Sequence, residues 1–254
     1  MGLLLFVMAV FLGSTETGSW NESLFNFTPL PWMYKFYYLK YLFIVLPGTL
    51  AGEWLIDHKN TNDDGVNSQR LLLIGLLCFV LIGMNVALLF SRILVLNLGV
   101  TAVLLIAIYY LVRAIAPANK LLKNCFCAGA YLLLLGLFFE AYEGGIHKDP
   151  STYSHYFVTA GLSFFMLIGF YGLQLSKAGS RVVHFLALNG RNAMVAYVAG
   201  SLLLLPLLHL TGAIKLLDSM RGSVWSGFLR GVLFTGMVSL VTVFFTKRKW
   251  FWRT

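Results

Sequence analysis

The sequence predicts an all-α fold, a polytopic transmembrane helical bundle of about seven to eight helices. Hydrophobic residues make up 59% of the chain and charged residues 11%, whereas soluble domains hold about 45–50% and about 25%. Uncharged runs long enough to cross the hydrocarbon core recur along the chain, and residues 71–89 lack the alternation of a membrane β-strand. Because backbone polar groups in lipid must be satisfied within the segment, these runs are expected to be helices.

The first two predicted helices are irregular. Residues 1–12 are too short to span a bilayer and lack the features of a signal peptide, so they are interpreted as the end of a longer helix. We therefore expect that Met1 is not the start of the functional unit. The second helix, residues 33–56, has Pro47 and Gly48 in its middle, which predicts a kink that lines a cavity or a packing face.

Six further apolar runs complete the predicted bundle. The last two contain Arg191 and Arg230, and Arg230 is expected to contact a carbonyl or an acid. No soluble domain, long linker or internal repeat is found, so residues 1–254 are expected to form one integral membrane domain. The six predicted helices span residues 70–90, 93–115, 124–143, 154–175, 185–211 and 222–246.

The distribution of lysine and arginine predicts the orientation in the membrane. Eleven of these residues lie in the turns near residues 57–70, 113–123 and 176–184 and in the tail 247–254, whereas only Arg92, Lys148, Lys215 and Arg221 lie in the opposite loops. Cytoplasmic loops carry the excess of positive charge, which places the C-terminus in the cytoplasm and the loop at 144–153 outside. The net charge of +9 is then explained by topology and anionic lipid, so the expected partner is the lipid bilayer and not nucleic acid.

Cysteines and acidic turns give no metal site. Cys78, Cys125 and Cys127 all lie in apolar helix and are interpreted as free, buried thiols. Asp63 and Asp64 lack the glutamate that would complete a calcium loop and are interpreted as a solvated turn. No metal ligand set is therefore predicted.

The most polar stretch, residues 140–157, is the first candidate site. Glu140 and Glu143 are three residues apart and share a helix face, and close carboxylates suit acid–base chemistry. The alternative is that they cap a helix and pair with Lys148. Ser151 or Thr152 is expected to cap the next helix. The candidate catalytic residues are Glu140, Glu143, His147, Lys148, Asp149 and His155.

A second candidate site lies at the predicted cytoplasmic end of the seventh helix. Asn189, Arg191 and Asn192 place a guanidinium between two carboxamides, a pattern that suits the phosphates of a nucleotide cofactor. The alternative for Arg191 is that it reaches lipid phosphate from the helix end.

Three stretches carry a resemblance to a known family: residues 26–55, residues 143–161 (EGGIHKDPSTYSHYFVTAG) and residues 188–200 (LNGRNAMVAYVAG). They resemble the bacterial DUF5009 family, which is similar to membrane acetyltransferases typified by heparan-alpha-glucosaminide N-acetyltransferase. Such relatives begin with a further helical block bearing an Asp-x-x-Arg-Gly motif and the essential histidine, whereas the Asp-x-x-Arg-Gly of this chain, Asp218–Gly222, lies near the start of its last predicted helix and not in an N-terminal block. The resemblance therefore implies the C-terminal half of a larger membrane unit, with the upstream block as its partner, and it does not assign the catalytic role to His147 or His155.

The resulting functional hypothesis is an acyltransferase of the bacterial inner membrane. It would move an acetyl or acyl group from cytoplasmic acetyl-CoA or acyl-CoA, a co-substrate rather than a bound cofactor, to an extracytoplasmic sugar. The chain alone is expected to be inactive. The alternatives are a transporter or flippase-like module, since kinked helices and intramembrane charge also serve permeation, and a non-catalytic membrane scaffold.

Overall fold

The computed structural model describes residues 40–59, 68–115, 119–148, 151–174, 176–222 and 224–252, together with residues 2, 18 and 23. Of these residues 88% are helical and none lies in a strand, which confirms the all-α prediction. Six helices within the described ranges are long and apolar enough to cross a membrane. The predicted helix at residues 1–12 lies outside the described residues, apart from Gly2.

The chain divides into two compact units, unit 1 at Met1–Leu175 and unit 2 at Ser176–Thr254. The single membrane domain and its place in a larger unit stay predictions. Unit 1 contains α1 (Leu42–Lys59), α2 (Ser68–Phe90), α3 (Leu94–Ile115), α4 (Lys120–Glu143) and α5 (Tyr153–Leu173). Unit 2 contains α6 (Lys177–Gly190), α7 (Ala193–Leu210), α8 (Ile214–Ser219) and α9 (Val224–Lys247).

Helix α5 lies at the centre of unit 1 and packs against α4, α2 and α1. Glycines allow the closest approaches: a Cβ atom on Gly161 would lie 2.7 Å from Leu133 N of α4, and one on Gly172 would lie 2.5 Å from Leu71 O of α2. In lipid, where apolar helix faces gain little from leaving the solvent, such backbone contact is a main source of helix association. The surrounding core is rich in aromatic side chains, among them Phe43, Tyr156, Phe157 and Phe165.

Helix α4 begins earlier than the sequence predicted, at Lys120 rather than at residue 124. The Asn119 side chain accepts a hydrogen bond of 2.9 Å from Leu122 N–H and so caps the first turn. The same carboxamide donates to Tyr171 Oη at 2.9 Å, which ties the start of α4 to the end of α5.

Pro47 lies inside α1, where it cannot donate a helical hydrogen bond. The prediction that this part of the helix lines a cavity is confirmed. A pocket of about 260 Å³ lies between α1 and α5 and is lined by Ile44, Pro47, Gly48, Ala51, Thr159, Ala160, Ser163, Phe164 and Leu167.

Helices α2 and α3 form a hairpin with buried polar side chains between them. Asn85, Asn97 and Thr101 are all fully buried. Asn85 Nδ2 donates to Thr101 Oγ1 at 3.0 Å, and the Thr101 hydroxyl lies 3.4 Å from Asn97 Oδ1. Asn97 Nδ2 has no hydrogen-bond partner among the described residues. The three side chains therefore link the two helices at one point inside the predicted bilayer.

Unit 2 differs from its prediction in two places. Helix α6 begins at Lys177, within the turn predicted near residues 176–184, and not at residue 185. The single helix predicted over residues 185–211 is divided, because α6 ends at Gly190 and α7 begins at Ala193. Helix α7 then contains a π-helical segment, Ala199–Leu204. The expectation for Arg230 is confirmed: its Nη2 lies 3.1 Å from Asp218 Oδ1.

The cysteine prediction holds for two of the three residues. All are free thiols, and Cys78 and Cys125 are buried, but Cys127 is exposed. Side chains two positions apart on an α-helix point in directions that differ by about 200° around its axis. Cys125 and Cys127 of α4 therefore cannot both face the core.

Candidate functional site

The first candidate site is built around Arg92, in the turn between α2 and α3. Its Nη1 donates to the carbonyl oxygen of Gly144 at the end of α4, and its Nη2 lies 3.8 Å from Glu140 Oε1. Arg92 has a φ of 55°, and Arg92 N–H and Ile93 N–H donate to Leu89 O and Leu88 O, each at 3.1 Å. These two bonds close the C-terminus of α2 in the manner of a Schellman motif, which fixes the turn that carries the guanidinium.

Glu140 is the buried acid of this site. Its side chain is 2% exposed, whereas that of Arg92 is 54% exposed, so the pair joins the interior of unit 1 to its surface. The second carboxylate oxygen, Oε2, is buried and has no hydrogen-bond partner among the described residues. Breaking a buried pair is costly, because the remaining charge is left uncompensated. Oε2 is thus an unused hydrogen-bond acceptor among the described residues.

His147 lies on the same side of the loop. A methyl group on Gly145 would lie 2.9 Å from His147 Nε2 and 3.4 Å from Arg92 Nη1, so the imidazole and the guanidinium converge above this glycine. We call Arg92, Glu140, Gly144, Gly145 and His147 the Arg92 cluster.

Glu143 has a structural role in the same loop. Its carboxylate accepts hydrogen bonds of 2.8 Å from both Tyr153 N–H and Ser154 N–H, the first amides of α5. A negative group at a helix N-terminus satisfies free amides and interacts favourably with the helix dipole. The interpretation of this acid as a helix cap is therefore supported, although the helix that it caps is the following one.

The expectation that Thr152 caps α5 through its hydroxyl is wrong, and the same expectation for Ser151 stays a prediction. Thr152 occupies the N-cap position but makes no side-chain hydrogen bond to the helix amides. Its hydroxyl accepts from His147 N–H at 3.1 Å, and the Ser151 hydroxyl accepts from Tyr156 at 2.7 Å. The Glu143 carboxylate accepts the hydrogen bonds from these amides instead, because it carries a full negative charge and two acceptor oxygens.

The other predicted residues of this site are less closely associated. Lys148 is exposed, and among the described residues Arg92 is the ion-pair partner of Glu140 in its place. His155 is half-buried, with its ring centroid 5.8 Å from that of Tyr156. Asp149 lies outside the described residues. The structure thus brings Glu140, Glu143 and His147 together and adds Arg92, which the sequence had marked only as one of four cations in the outward loops.

In the second candidate site, the carboxamides of Asn189 and Asn192 have mainly structural roles. Asn189 Nδ2 donates to Phe185 O, one turn earlier in α6, at 3.0 Å. Asn192 Nδ2 donates to Trp250 O at 2.8 Å, and Asn192 Oδ1 accepts from Trp252 N–H at 3.3 Å. Arg191 is exposed. Contact between these residues and a cofactor phosphate stays a prediction.

The predicted outward position of the loop after α4 can be tested directly. A Lys148→Cys variant that lacks Cys78, Cys125 and Cys127 is expected to react with an impermeant maleimide in intact cells, because the charge asymmetry places Lys148 outside. Lys120→Cys is the matched control. Both positions are exposed, and the 24 residues of α4 are long enough to separate them across the bilayer. Labelling of intact cells at Lys120 but not at Lys148 would reverse the orientation.

Comparison with known proteins gives one match. Residues 1–55 match the model of the DUF5009 family, which is described as a domain of unknown function. No curated protein and no solved structure matches the chain. The match supports the resemblance over residues 26–55, and it ends before the Arg92 cluster and before unit 2.

Proposed function

We propose that this chain is the C-terminal part of a membrane-bound acyltransferase of the bacterial inner membrane. An upstream helical block supplies the catalytic histidine, acyl-CoA binds at the cytoplasmic face near Arg191, and a sugar binds outside at the Arg92 cluster. The observation that carries the proposal is the buried Glu140 Oε2, which lacks a hydrogen-bond partner among the described residues and lies next to a half-exposed guanidinium.

The chemistry of acyl transfer suits this arrangement. The acceptor amine or hydroxyl attacks the thioester carbonyl, a new acyl bond forms and the carbon–sulfur bond breaks. The histidine takes the acceptor proton and passes it to the sulfur, so that CoA leaves as a thiol. Glu140 Oε2 would accept a hydrogen bond from the sugar and hold the attacking group in place. Arg92 would donate to sugar oxygens from the exposed side. Glu143 holds the start of α5 and is not assigned to the acceptor.

Inside-out membrane vesicles test the proposal directly. The vesicles contain the chain with its upstream helical block, glucosamine is enclosed in the lumen, and radiolabelled acetyl-CoA is added outside. We expect labelled N-acetylglucosamine to accumulate in the lumen. Glu140→Gln should lower the rate about 10- to 150-fold, because a hydrogen bond to a charged group is worth about 1.5–3 kcal/mol.

Glu53→Gln is the matched control, since Glu53 is an exposed glutamate of α1 away from the Arg92 cluster. Equal rates in the two variants would remove Glu140 from the acceptor site. Passage of unmodified sugar across the membrane, without acetylated product, would favour the transporter or flippase-like alternative. Vesicles with neither activity would favour the scaffold.

A further inference from the structure

The C-terminal segment, residues 247–252, is held in a fixed conformation at the end of α9. Lys249 N–H donates to Thr246 O and Trp250 N–H donates to Phe245 O, each at 3.0 Å, which is the pair of bonds of a Schellman motif. The residue that takes the left-handed conformation is Lys249, with a φ of 60°, where glycine would be unstrained. Such an outlier at a surface turn is a reason to look for a function of the side chain.

Asn192 fixes the segment after this turn. The carboxamide is buried and uses both of its atoms, since Nδ2 donates to Trp250 O at 2.8 Å and Oδ1 accepts from Trp252 N–H at 3.3 Å. The Thr246 hydroxyl also lies 3.1 Å from Leu188 O of α6. The last described residues are therefore bound back against the break between α6 and α7.

The fixed segment presents cations and tryptophans together. Lys247, Arg248 and Lys249 are exposed, and Trp250 and Trp252 are 60% and 54% exposed. Helix α9 is long and apolar enough to cross the membrane, and it ends at Lys247. These cations and tryptophans therefore lie at the end of a candidate membrane-spanning helix. Tryptophan prefers the headgroup level of a bilayer, and lysine and arginine next to it attract anionic lipid.

Acidic residues of unit 2 do not neutralise these cations. The sequence of residues 176–254 contains one acid, Asp218, which precedes α9 and pairs with Arg230 at 3.1 Å. Arg230 belongs to the second turn of a 24-residue helix, whereas the cations lie at the other end of that helix. Within unit 2, no acidic side chain therefore pairs with the cations at residues 247–249.

We propose that residues 247–252 form a binding site for anionic phospholipid headgroups, with Asn192 as its positioning residue. Lys247, Arg248 and Lys249 contact the headgroup phosphates, and Trp250 and Trp252 lie among the glycerol and upper acyl groups. The site belongs to unit 2 and is independent of the Arg92 cluster.

Native mass spectrometry of the purified chain in a neutral detergent tests the site. Phosphatidylglycerol and phosphatidylcholine are titrated separately, and the two dissociation constants are compared. We expect the anionic lipid to bind about tenfold or more tightly than the zwitterionic lipid, and the combined variant K247Q/R248Q/K249Q to lose this preference. Lys215→Gln, which removes an exposed cation of α8, is the matched control and should keep the preference.

Lys249→Gly separates binding from folding. Glycine relaxes the left-handed position, so the melting temperature should stay the same or rise while the preference for the anionic lipid falls. Asn192→Ala should lower the preference several-fold with all three cations still present.

An unchanged preference in K247Q/R248Q/K249Q or in Lys249→Gly would overturn the proposal. It would also be overturned if free CoA bound to the same cations as tightly as the anionic lipid, since the site would then serve a soluble phosphate.

Discussion

Gly161→Ala is expected to destabilise unit 1 by about 3 kcal/mol, the upper part of the usual range for overpacking a core. The added Cβ atom would lie 2.7 Å from Leu133 N and 3.0 Å from Gly129 O. Both neighbours are backbone atoms of α4, so no side-chain rotation relieves the clash and the two helices must separate. Separation of α4 from α5 would disturb the most extensive helix contact in unit 1.

The free energy of unfolding in mixed detergent micelles measures this effect. Gly99→Ala is the matched control, because it makes the same change inside α3 at a position where the new Cβ atom meets nothing within 4 Å. That variant should be as stable as the native chain or slightly more stable, since alanine favours helix over glycine. Equal stability of the two variants would show that α4 and α5 do not pack as closely as described.

Glu143→Ala is expected to cost about 2–3 kcal/mol and to loosen the loop between α4 and α5. The substitution leaves Tyr153 N–H and Ser154 N–H without their shared acceptor, and each bond measures 2.8 Å. Loss of an N-cap costs about 0.5–2 kcal/mol, and bonds to a charged acceptor lie at the upper end. Glu143→Gln should cost less, because a carboxamide oxygen can still accept but carries no charge.

Thermal unfolding and limited proteolysis of residues 144–152 measure the change. Glu53→Ala removes an exposed glutamate from α1 and should leave both readings unchanged. If Glu143→Ala resembled this control, the carboxylate would not be the cap of α5, and its assignment as an acid or base would regain weight.

The sequence predicted the helices well, because each membrane-spanning segment must satisfy its own backbone and therefore shows itself as a long apolar run. Helices α2 to α5 lie within a few residues of their predicted ranges. The loop at residues 144–152 was also recognisable, since polarity is concentrated there between two apolar runs. These features depend on local composition.

The features that the sequence did not reveal depend on partners far along the chain. Arg92 reaches Glu140 and Gly144 only after α2, α3 and α4 have assembled. The division of the helix predicted over residues 185–211 involves Asn192, whose partners are Trp250 and Trp252. The placement of α4 against α1, α3 and α5 leaves Cys127 exposed. No local pattern specifies such contacts.

The polar hairpin of α2 and α3 has a consequence for how the protein enters the membrane during synthesis. Asn85 Nδ2 also donates to Leu81 O within α2, but its Oδ1 accepts from the Thr101 hydroxyl of α3 at 3.3 Å, so a lone α2 would face the lipid with an acceptor whose partner has not yet been made. An unsatisfied polar group in hydrocarbon costs several kcal/mol. Helix α2 should therefore remain beside the insertion machinery until α3 arrives, and the two should pass into the bilayer as a pair. The short turn at Arg92, which joins the two helices, would then cross the membrane as the tip of the hairpin.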